Sequence, residues 1–158
     1  MKKLLLILIL FTGLFGEIND NLLYIEAKLY PKMMMLANGL YKKKKIKIAI
    51  IANNKTKAEA DKFKNFIQNP KFDVKITNKI NLNYDVYILT YNINDKIIQN
   101  FIKHKKLIFT IDPDLINKSM FSIYVGVRVY PLINPYLIKK SSIKINPIIF
   151  KVAKIYEN

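Results

Sequence analysis

Apolar residues near the start of the chain follow the period of a helix. They stand three or four positions apart, the spacing that places side chains on one helical face: Leu22, Ile25, Leu29, Met33 and Leu36. Pro31 interrupts this pattern. Because proline removes a helical hydrogen bond and clashes with the preceding turn, we expect a kink or break near residues 29–30.

Short apolar runs after this segment predict the buried strands of a parallel sheet. Such strands are apolar on both faces, as are residues 46–52 (IKIAIIA), 86–90 (VYILT) and 107–111 (LIFTI). Residues 72–76 alternate like a further short strand.

Two helical patterns separate these strands. Thr56 and Glu59 have the spacing of a capping box before the first, and Asn94 can cap the second. Helices that alternate with buried strands are typical of an α/β fold built from right-handed crossovers. We therefore predict an α/β domain with a mostly parallel sheet and flanking helices.

The pattern changes to a period of two after Asp114. Residues 119–125 and 127–133 alternate and meet at Gly126, which predicts an antiparallel hairpin that ends the sheet. Pro131 indicates that the last strand lies at an edge. Two short C-terminal helices are expected from about Pro135 and Pro147.

The tripeptide Ile-Asn-Pro precedes both of these helices. Asparagine can cap a helix, and proline at its first position loses no useful hydrogen bond. We interpret Asn134 and Asn146 as helix caps and not as parts of a repeated binding motif.

Residues 1–16 have the features of a secretory signal peptide. Lys2 and Lys3 precede a short apolar run, and Gly16 supplies a small residue near the cleavage point. The run is shorter than the roughly 20 apolar residues that a membrane span needs. We expect a cleaved signal peptide at 1–16 and a single domain at 17–158, with an uncleaved anchor as the alternative.

The chain contains no cysteine, which excludes disulfides, a lipid on cysteine and thiolate chemistry. An exported protein of this kind fits a Gram-negative periplasm, and we expect that location.

The net charge is +16, or +14 once Lys2 and Lys3 are removed with the leader. Such a charge could attract nucleic acid or an anionic surface, and a basic binder of this kind is one alternative function. However, every Lys or Arg position except Arg128 is lysine, which lacks the guanidinium fork used in nucleic-acid recognition. An amino-acid composition rich in lysine, isoleucine and asparagine is also what an AT-rich genome produces. We expect no nucleic-acid partner.

Catalytic and cofactor patterns are missing from the sequence. The turn after the first strand has no glycine to approach a pyrophosphate. His104 is the only histidine and cannot form a zinc site without cysteine or a second histidine. Ser141 and Ser142 lack the G-x-S-x-G context of a hydrolase nucleophile. We predict a non-enzymatic protein with no cofactor and no metal site.

A small-ligand site is the second alternative function. Open α/β sheets bind ligands beyond the carboxyl ends of their strands. Four residues follow the predicted strands there: Asn53, Asn54, Tyr91 and Asp112. A periplasmic module that captures a small or anionic ligand would use them. A turn is the simpler interpretation of Asp112 and Asp114.

The chain resembles the YfiR-like family of small exported bacterial proteins. The most specific overlap is at residues 127–155 (VRVYPLINPYLIKKSSIKINPIIFKVAKI), which is similar to the closing pattern of that family. Residues 46–52 and 84–90 also match in order and spacing. The resemblance covers roughly residues 22–155.

The chain departs from the family pattern at three places. The first helix reads AKLYPKMMML where members often end in Trp-Pro, and the disulfides of some members are absent. Lys118 and Ser119 stand where a Gly-Gly pair commonly precedes the hairpin. These departures concern the ligand, the partner and redox control more than the fold.

The resemblance implies a periplasmic regulator without enzymatic activity. Its better understood relatives bind the sensory part of an inner-membrane diguanylate cyclase and hold it inactive, which lowers cyclic di-GMP and restrains biofilm formation. We expect the partner, a diguanylate cyclase or kinase sensory domain, to contact Arg128, Tyr130 and Leu132. Packing of these residues against the terminal helices is the alternative, and a homodimer remains open.

Overall fold

Helices and strands alternate along the chain in a computed structural model that describes residues 20–37 and 39–157. The expected signal peptide, residues 1–16, lies outside these ranges. Among the described residues, helix α1 covers positions 20–34. The elements after it are, in order, β1 (Ile46–Ile51), α2 (Lys57–Phe66), β2 (Phe72–Thr77), β3 (Val86–Leu89), α3 (Asp95–Lys103), β4 (Leu107–Thr110), a 3₁₀ helix (Pro113–Lys118), β5 (Phe121–Val125), β6 (Val129–Ile133), α4 (Pro135–Ser141), α5 (Ile149–Val152) and β7 (Lys154–Ile155).

All seven of these strands join one sheet in the order β2-β1-β3-β4-β5-β6-β7. The pairs from β2 to β5 are parallel, β5 and β6 form an antiparallel hairpin, and β7 runs parallel to β6. The predicted α/β fold, with a mostly parallel sheet, flanking helices, a terminal hairpin and short C-terminal helices, is confirmed.

Helices cover both faces of the sheet. The Tyr30 ring of α1 lies 4.8 Å from Phe109 of β4 and 5.9 Å from Phe63 of α2, so α1 and α2 share one face. On the opposite face, Phe101 of α3 stacks 3.8 Å from Tyr87 of β3. Successive strand residues point to opposite faces, which is why the buried strands of this sheet are apolar at most positions.

The strand order reverses beside β1. The connection through α2 leads to β2 on one side of β1, whereas the next strand, β3, pairs on its other side. In doubly wound sheets such a reversal opens a crevice at the carboxyl ends of the two central strands. The residues after β1 and β3 therefore lie at the usual ligand-binding edge of this architecture.

Helix α1 continues through Pro31 to residue 34, so the predicted break near residues 29–30 is wrong. Tyr30, Met33 and Met34 are buried on the sheet. Their burial offsets the roughly 3 kcal/mol that a proline costs inside a helix.

Strand β7 was not predicted, and it changes the position of β6. Leu132 and Ile133 pair with Lys154 and Ile155, so the expectation that the last hairpin strand lies at the edge is wrong for these two residues. A two-residue exposed strand carries no periodic signal, which explains why the pattern does not reveal it.

The predicted helix caps have mixed outcomes. The side chains of Asn94 and Asn134 accept hydrogen bonds from the first turns of α3 and α4, which confirms both. Asn146 accepts from the Ile148 backbone N–H, but α5 is a single turn that begins at Ile149. The prediction of a capping box at the start of α2 is wrong, because the side chain of Thr56 makes no capping hydrogen bond.

Within residues 20–37 and 39–157, no helix combines the length and the apolar character needed to cross a membrane.

Candidate functional site

Apolar side chains are exposed at the turn of the β5–β6 hairpin and on the C-terminal segment beside it. We name these residues the hairpin surface: Tyr124, Val125, Val127, Val129, Ile148, Phe150, Val152 and Ile155. Val127 has a relative exposure of 106%. Because β7 pairs with β6 and α5 packs beside β6, the C-terminal segment belongs to the same end of the sheet.

Lysine 154 connects the two parts of the hairpin surface. Tyr124 and Tyr130 are cross-strand partners, and the Lys154 ammonium lies 3.6 Å from the Tyr124 ring centroid and 5.9 Å from that of Tyr130. A cation over an aromatic face is attracted by the ring quadrupole. Gly126 leaves room for this arrangement, since a Cβ atom there would lie 2.8 Å from the Tyr124 ring.

The charged residues around the hairpin surface are mostly basic. Residues 115–156 contain seven basic residues and no acidic residue. Arg128 and Lys151 are exposed on the hairpin turn and on α5. This end of the molecule therefore presents apolar side chains among mostly basic residues, with Glu157 as the acidic residue that follows β7.

The three predicted partner residues occupy different environments on this surface. Arg128 is exposed in the turn, whereas Tyr130 and Leu132 are half-buried. Leu132 lies between Ser122 and Lys154 in the sheet. Sequence reasoning missed the exposed valines around Gly126, although valine at a turn that should be polar was an available signal.

The four predicted ligand residues do not form one site. Asn53 and Asn54 line a cavity of about 300 Å³ with residues of β2 and the following loop. Asp112 lines another, of about 200 Å³, together with Leu22, Leu23, Glu59, Thr90, Ile111 and Pro113. Tyr91 lines neither cavity. We name the second cavity the switch-point cavity.

Hydroxyl groups tie together the strand ends beside the switch-point cavity. Thr90 Oγ donates to the Ile51 carbonyl at 2.9 Å and lies 2.6 Å from Thr56 Oγ. Thr56 Oγ also accepts from the Asn53 N–H at 3.1 Å. Thr56 thus joins the ends of β1 and β3, which is why its side chain does not cap α2.

Asparagine 53 and Asp112 both organise their own loops. The side-chain oxygen Oδ1 of Asn53 accepts from the backbone N–H groups of Lys55 and Thr56. Asp112 Oδ1 accepts from the Asp114 N–H at 3.0 Å and caps the 3₁₀ helix. The turn interpretation of Asp112 holds, and it does not exclude a second role in the cavity.

Glutamate 26 is a buried acid that sequence reasoning missed. Its side chain is fully buried, and burial raises its pKa from 4.5 to about 9. The contact with the Tyr30 hydroxyl partly opposes this shift, whereas the charges of Asp112 and Glu59 add to it. At neutral pH this carboxyl group is therefore protonated. A glutamate one turn after Leu22 and Leu23, on the apolar side of the helix, was the available signal.

The hydrogen bonds around Glu26 are incomplete. The Tyr30 hydroxyl lies 3.3 Å from Glu26 Oε1 and donates to the Thr110 carbonyl. Glu26 Oε2 is buried without a hydrogen-bond partner among the described residues. An unsatisfied buried oxygen costs about 1–3 kcal/mol, so this atom requires an explanation.

A third cavity, of about 400 Å³, lies at the opposite, amino ends of the strands. Its basic residues include His104, Lys105 and Lys106 at the end of α3 and Lys144 after α4. Cations at helix C-termini are stabilised by the helix dipole. This structural role applies to Lys105 and Lys106 at the end of α3.

No group of three or more histidine, cysteine or acidic residues in the described part of the chain is arranged to hold a metal ion. No protein-family model and no curated protein matches the chain.

Proposed function

We propose that the protein is a non-enzymatic regulator in the periplasm that binds and restrains the sensory domain of an inner-membrane signalling protein. The resemblance to the YfiR-like family makes a diguanylate cyclase the preferred partner, with cyclic di-GMP and biofilm formation as the output. The observation that carries the proposal is the hairpin surface, where exposed apolar side chains lie among mostly basic residues.

The apolar part of this surface suits a protein interface. Contiguous exposed apolar groups are costly in water and mark interaction sites. Tyrosine and arginine, present as Tyr124 and Arg128, are enriched at the centres of interfaces. The ring of Tyr124 is held beneath Lys154, so little side-chain freedom is lost when a partner binds.

The basic part specifies the charge of the partner. Complementary potentials accelerate association and disfavour partners of the same sign. Residues 115–156 contain seven basic residues and no acidic residue. We therefore expect the sensory domain of the partner to have an acidic rim around an apolar centre.

The resemblance and the hairpin surface coincide in the chain. Residues 127–155 carry the most specific similarity to the YfiR-like family, and the same residues supply β6, α5 and β7. A regulator of this kind acts by binding the inactive conformation of its partner more tightly, and a tenfold preference corresponds to about 1.4 kcal/mol.

The test is affinity capture from detergent-solubilised membranes with three proteins: wild type, Val127→Asp and Tyr41→Asp. Val127 is fully exposed in the hairpin turn and Tyr41 is 51% exposed in the loop before β1, so both substitutions leave the core intact. Wild type and Tyr41→Asp should recover the same inner-membrane protein with a periplasmic sensory region and a cyclase or kinase output. Val127→Asp should lose it.

Loss of the regulator should also raise cellular cyclic di-GMP, and only proteins that retain capture should restore the low level. Recovery of no membrane signalling protein, or equal recovery by Val127→Asp, would contradict the proposal.

A further inference from the structure

Strand β2 forms one edge of the sheet. Among the described residues it pairs with β1 alone. The carbonyls of Lys71 and Thr77, at the two ends of the strand, accept hydrogen bonds from N–H groups of the β1 segment. Because successive residues direct their backbone groups to opposite sides of a strand, Val74 and Ile76 direct theirs away from the sheet. A row of such groups can pair with another strand.

The side chains of β2 show the same alternation from either end of the strand. Phe72, Val74 and Ile76 are apolar and contribute to the packed face, where Val74 and Ile76 are only half-buried. Asp73 and Lys75 stand on either side of Val74 and are exposed. Neither of these charged residues forms an ion pair within the part of the chain that the structure describes. The strand is therefore complementary to a copy of itself that runs in the opposite direction.

We propose that the β2 edge binds β2 of a second copy of this chain, in an antiparallel pair with its two-fold axis at Val74. In this register Val74 faces Val74, Asp73 faces Lys75, and Phe72 faces Ile76 of the other copy. The two Val74 residues exchange backbone hydrogen bonds, and the Ile76 N–H donates to the Phe72 carbonyl. Two-fold dimers of this kind are the commonest soluble oligomers.

The charges select this register among the possible ones. A slide by one residue places outward backbone groups opposite residues that are already bonded to β1, and it turns the apolar side chains to the wrong face. A slide by two residues places Asp73 opposite Asp73, or Lys75 opposite Lys75. Like charges directly opposite each other destabilise a strand pair, whereas opposite charges stabilise it. Larger slides shorten the overlap.

Neighbouring residues add to this complementarity. Lys47 of β1 is the register partner of Asp73, so in the dimer Asp73 lies between Lys47 and Lys75 of the second copy. The second copy also covers the part of Val74 that is exposed in one chain. At the strand start the Phe72 N–H already donates to the Asn69 carbonyl at 3.0 Å, so the new ladder ends at the Phe72 carbonyl.

The dimer joins the two sheets into one. Because β2 and β7 are the first and last strands in the sheet order, the two hairpin surfaces would lie at the outer ends of this joined sheet. Dimerisation thus leaves both hairpin surfaces free for the partner of the proposed function.

Sedimentation of the purified protein at increasing concentration tests the dimer, with Asp73→Lys and Lys75→Asp as variants. Each reversal converts both opposite-charge pairs into like-charge pairs and should raise the dissociation constant about tenfold or more. Both side chains are exposed, so the fold should persist, which circular dichroism checks. Asp61→Lys makes the same charge change on the exposed side of α2 and should dimerise as wild type does.

A mixture of Asp73→Lys and Lys75→Asp separates loss of charge pairing from misfolding. In a heterodimer of these two variants, every cross-strand charged pair again joins opposite charges. The mixture should therefore dimerise more tightly than either variant alone. A mixture no tighter than its components would contradict the proposed register.

Amide hydrogen exchange, followed by NMR, locates the interface. The amide protons of Val74 and Ile76 should exchange quickly in dilute protein and slowly at high concentration, whereas that of Lys75, which points to β1, should change little. Val127→Asp alters the hairpin surface and should leave dimerisation unchanged.

A monomer at every concentration, or unprotected Val74 and Ile76 amides in a dimer, would overturn the proposal. A dimer that persists in Asp73→Lys but is lost in Val127→Asp would also overturn it, in favour of self-association through the hairpin surface. The β2 edge and the hairpin surface share no residue, so this result is independent of partner capture.

Discussion

Tyr30 on α1 donates a hydrogen bond from its hydroxyl to the backbone carbonyl of Thr110, eighty residues later at the end of β4. The same hydroxyl lies 3.3 Å from Glu26. This contact fixes α1 to the sheet beside the switch-point cavity. Tyr30→Phe should lower the free energy of unfolding by about 1–3 kcal/mol, because a buried carbonyl loses its donor.

Urea denaturation measures this loss, with Tyr41→Phe as the control because Tyr41 is exposed in the loop before β1. Equal stability of the two variants would show that the buried hydrogen bond makes no net contribution to the free energy of unfolding.

The stability of the protein should fall as pH rises from about 4.5 to about 9. The pKa of the Glu26 carboxyl group is 4.5 in the unfolded chain and about 9 in the fold. Between these values the folded state keeps a proton that the unfolded state has released. The unfolded state binds fewer protons, so the free energy of unfolding decreases by up to about 1.4 kcal/mol per pH unit for this group.

The stabilising contribution is complete below pH 4.5 and is lost above about 9. Glu26→Gln should flatten this dependence, whereas Asp73→Asn should retain it. Tyr30, Asp112 and Glu59 are the titratable groups that act on Glu26. Unfolding free energies from urea titrations at pH 5, 7 and 9 test this, and an unchanged slope in Glu26→Gln would contradict a protonated Glu26.

The hydroxyl of Thr90 should stabilise the carboxyl edge of the sheet. Thr90→Val keeps the branched shape but removes the bonds to Ile51 and Thr56. We expect a loss of about 1–3 kcal/mol, because two hydrogen bonds, each worth about 0.5–1.5 kcal/mol net, are removed. Thermal or urea unfolding measures the loss, and Thr77→Val on the less buried β2 is a matched control. If the Thr90→Val protein is as stable as the control variant, the hydrogen bonds of the Thr90 hydroxyl do not stabilise this edge of the sheet.

The two Ile-Asn-Pro asparagines should differ in their contribution to stability. Asn134 is buried, accepts from the Leu137 N–H and donates to the Ile116 carbonyl at 3.0 Å. Asn146 is exposed and accepts from Ile148 alone among the described contacts. Asn134→Ala should cost about 2 kcal/mol and Asn146→Ala about 0.5 kcal/mol. Chemical denaturation of both variants decides the order, and an equal cost would contradict the tertiary role of Asn134.

The contact between Lys154 and Tyr124 should make a small contribution that depends on charge. Lys154→Gln removes the cation over the ring and should cost about 0.5–1 kcal/mol, while Lys154→Arg should keep most of it. Lys151→Gln, on the neighbouring helix, provides the control. If Lys154→Gln and Lys151→Gln denature alike, packing of the lysine stem and not its charge holds Tyr124.

Much of the fold follows from the order of apolar residues along the chain. Runs that are apolar on both faces can be buried only in a central sheet, and helical patterns between them require crossover connections. Residues such as Ile46, Val86 and Leu107 therefore predict parallel strands without knowledge of any contact. The period of two around Gly126 predicts the hairpin for the same local reason.

Elements that depend on contacts between distant residues could not be predicted in this way. Pro31 argues for a break in α1, yet burial of Tyr30 and Met34 against the sheet keeps the helix continuous. Lys154 and Ile155 carry no strand pattern, and they form β7 because β6 offers free backbone groups. Thr56 has the spacing of a helix cap but is drawn into a bond with Thr90, which is adjacent only in the folded chain.

The candidate sites also have some features that follow from the sequence alone and others that depend on the tertiary structure. The sequence by itself determined that polar residues follow the strands and that residues 115–156 contain no acidic residue, since these are properties of order and composition. Tertiary structure alone separated Asn53 from Asp112, exposed Val127 and buried Glu26. Burial is decided by which elements pack together, and packing is a relation between residues far apart in the chain.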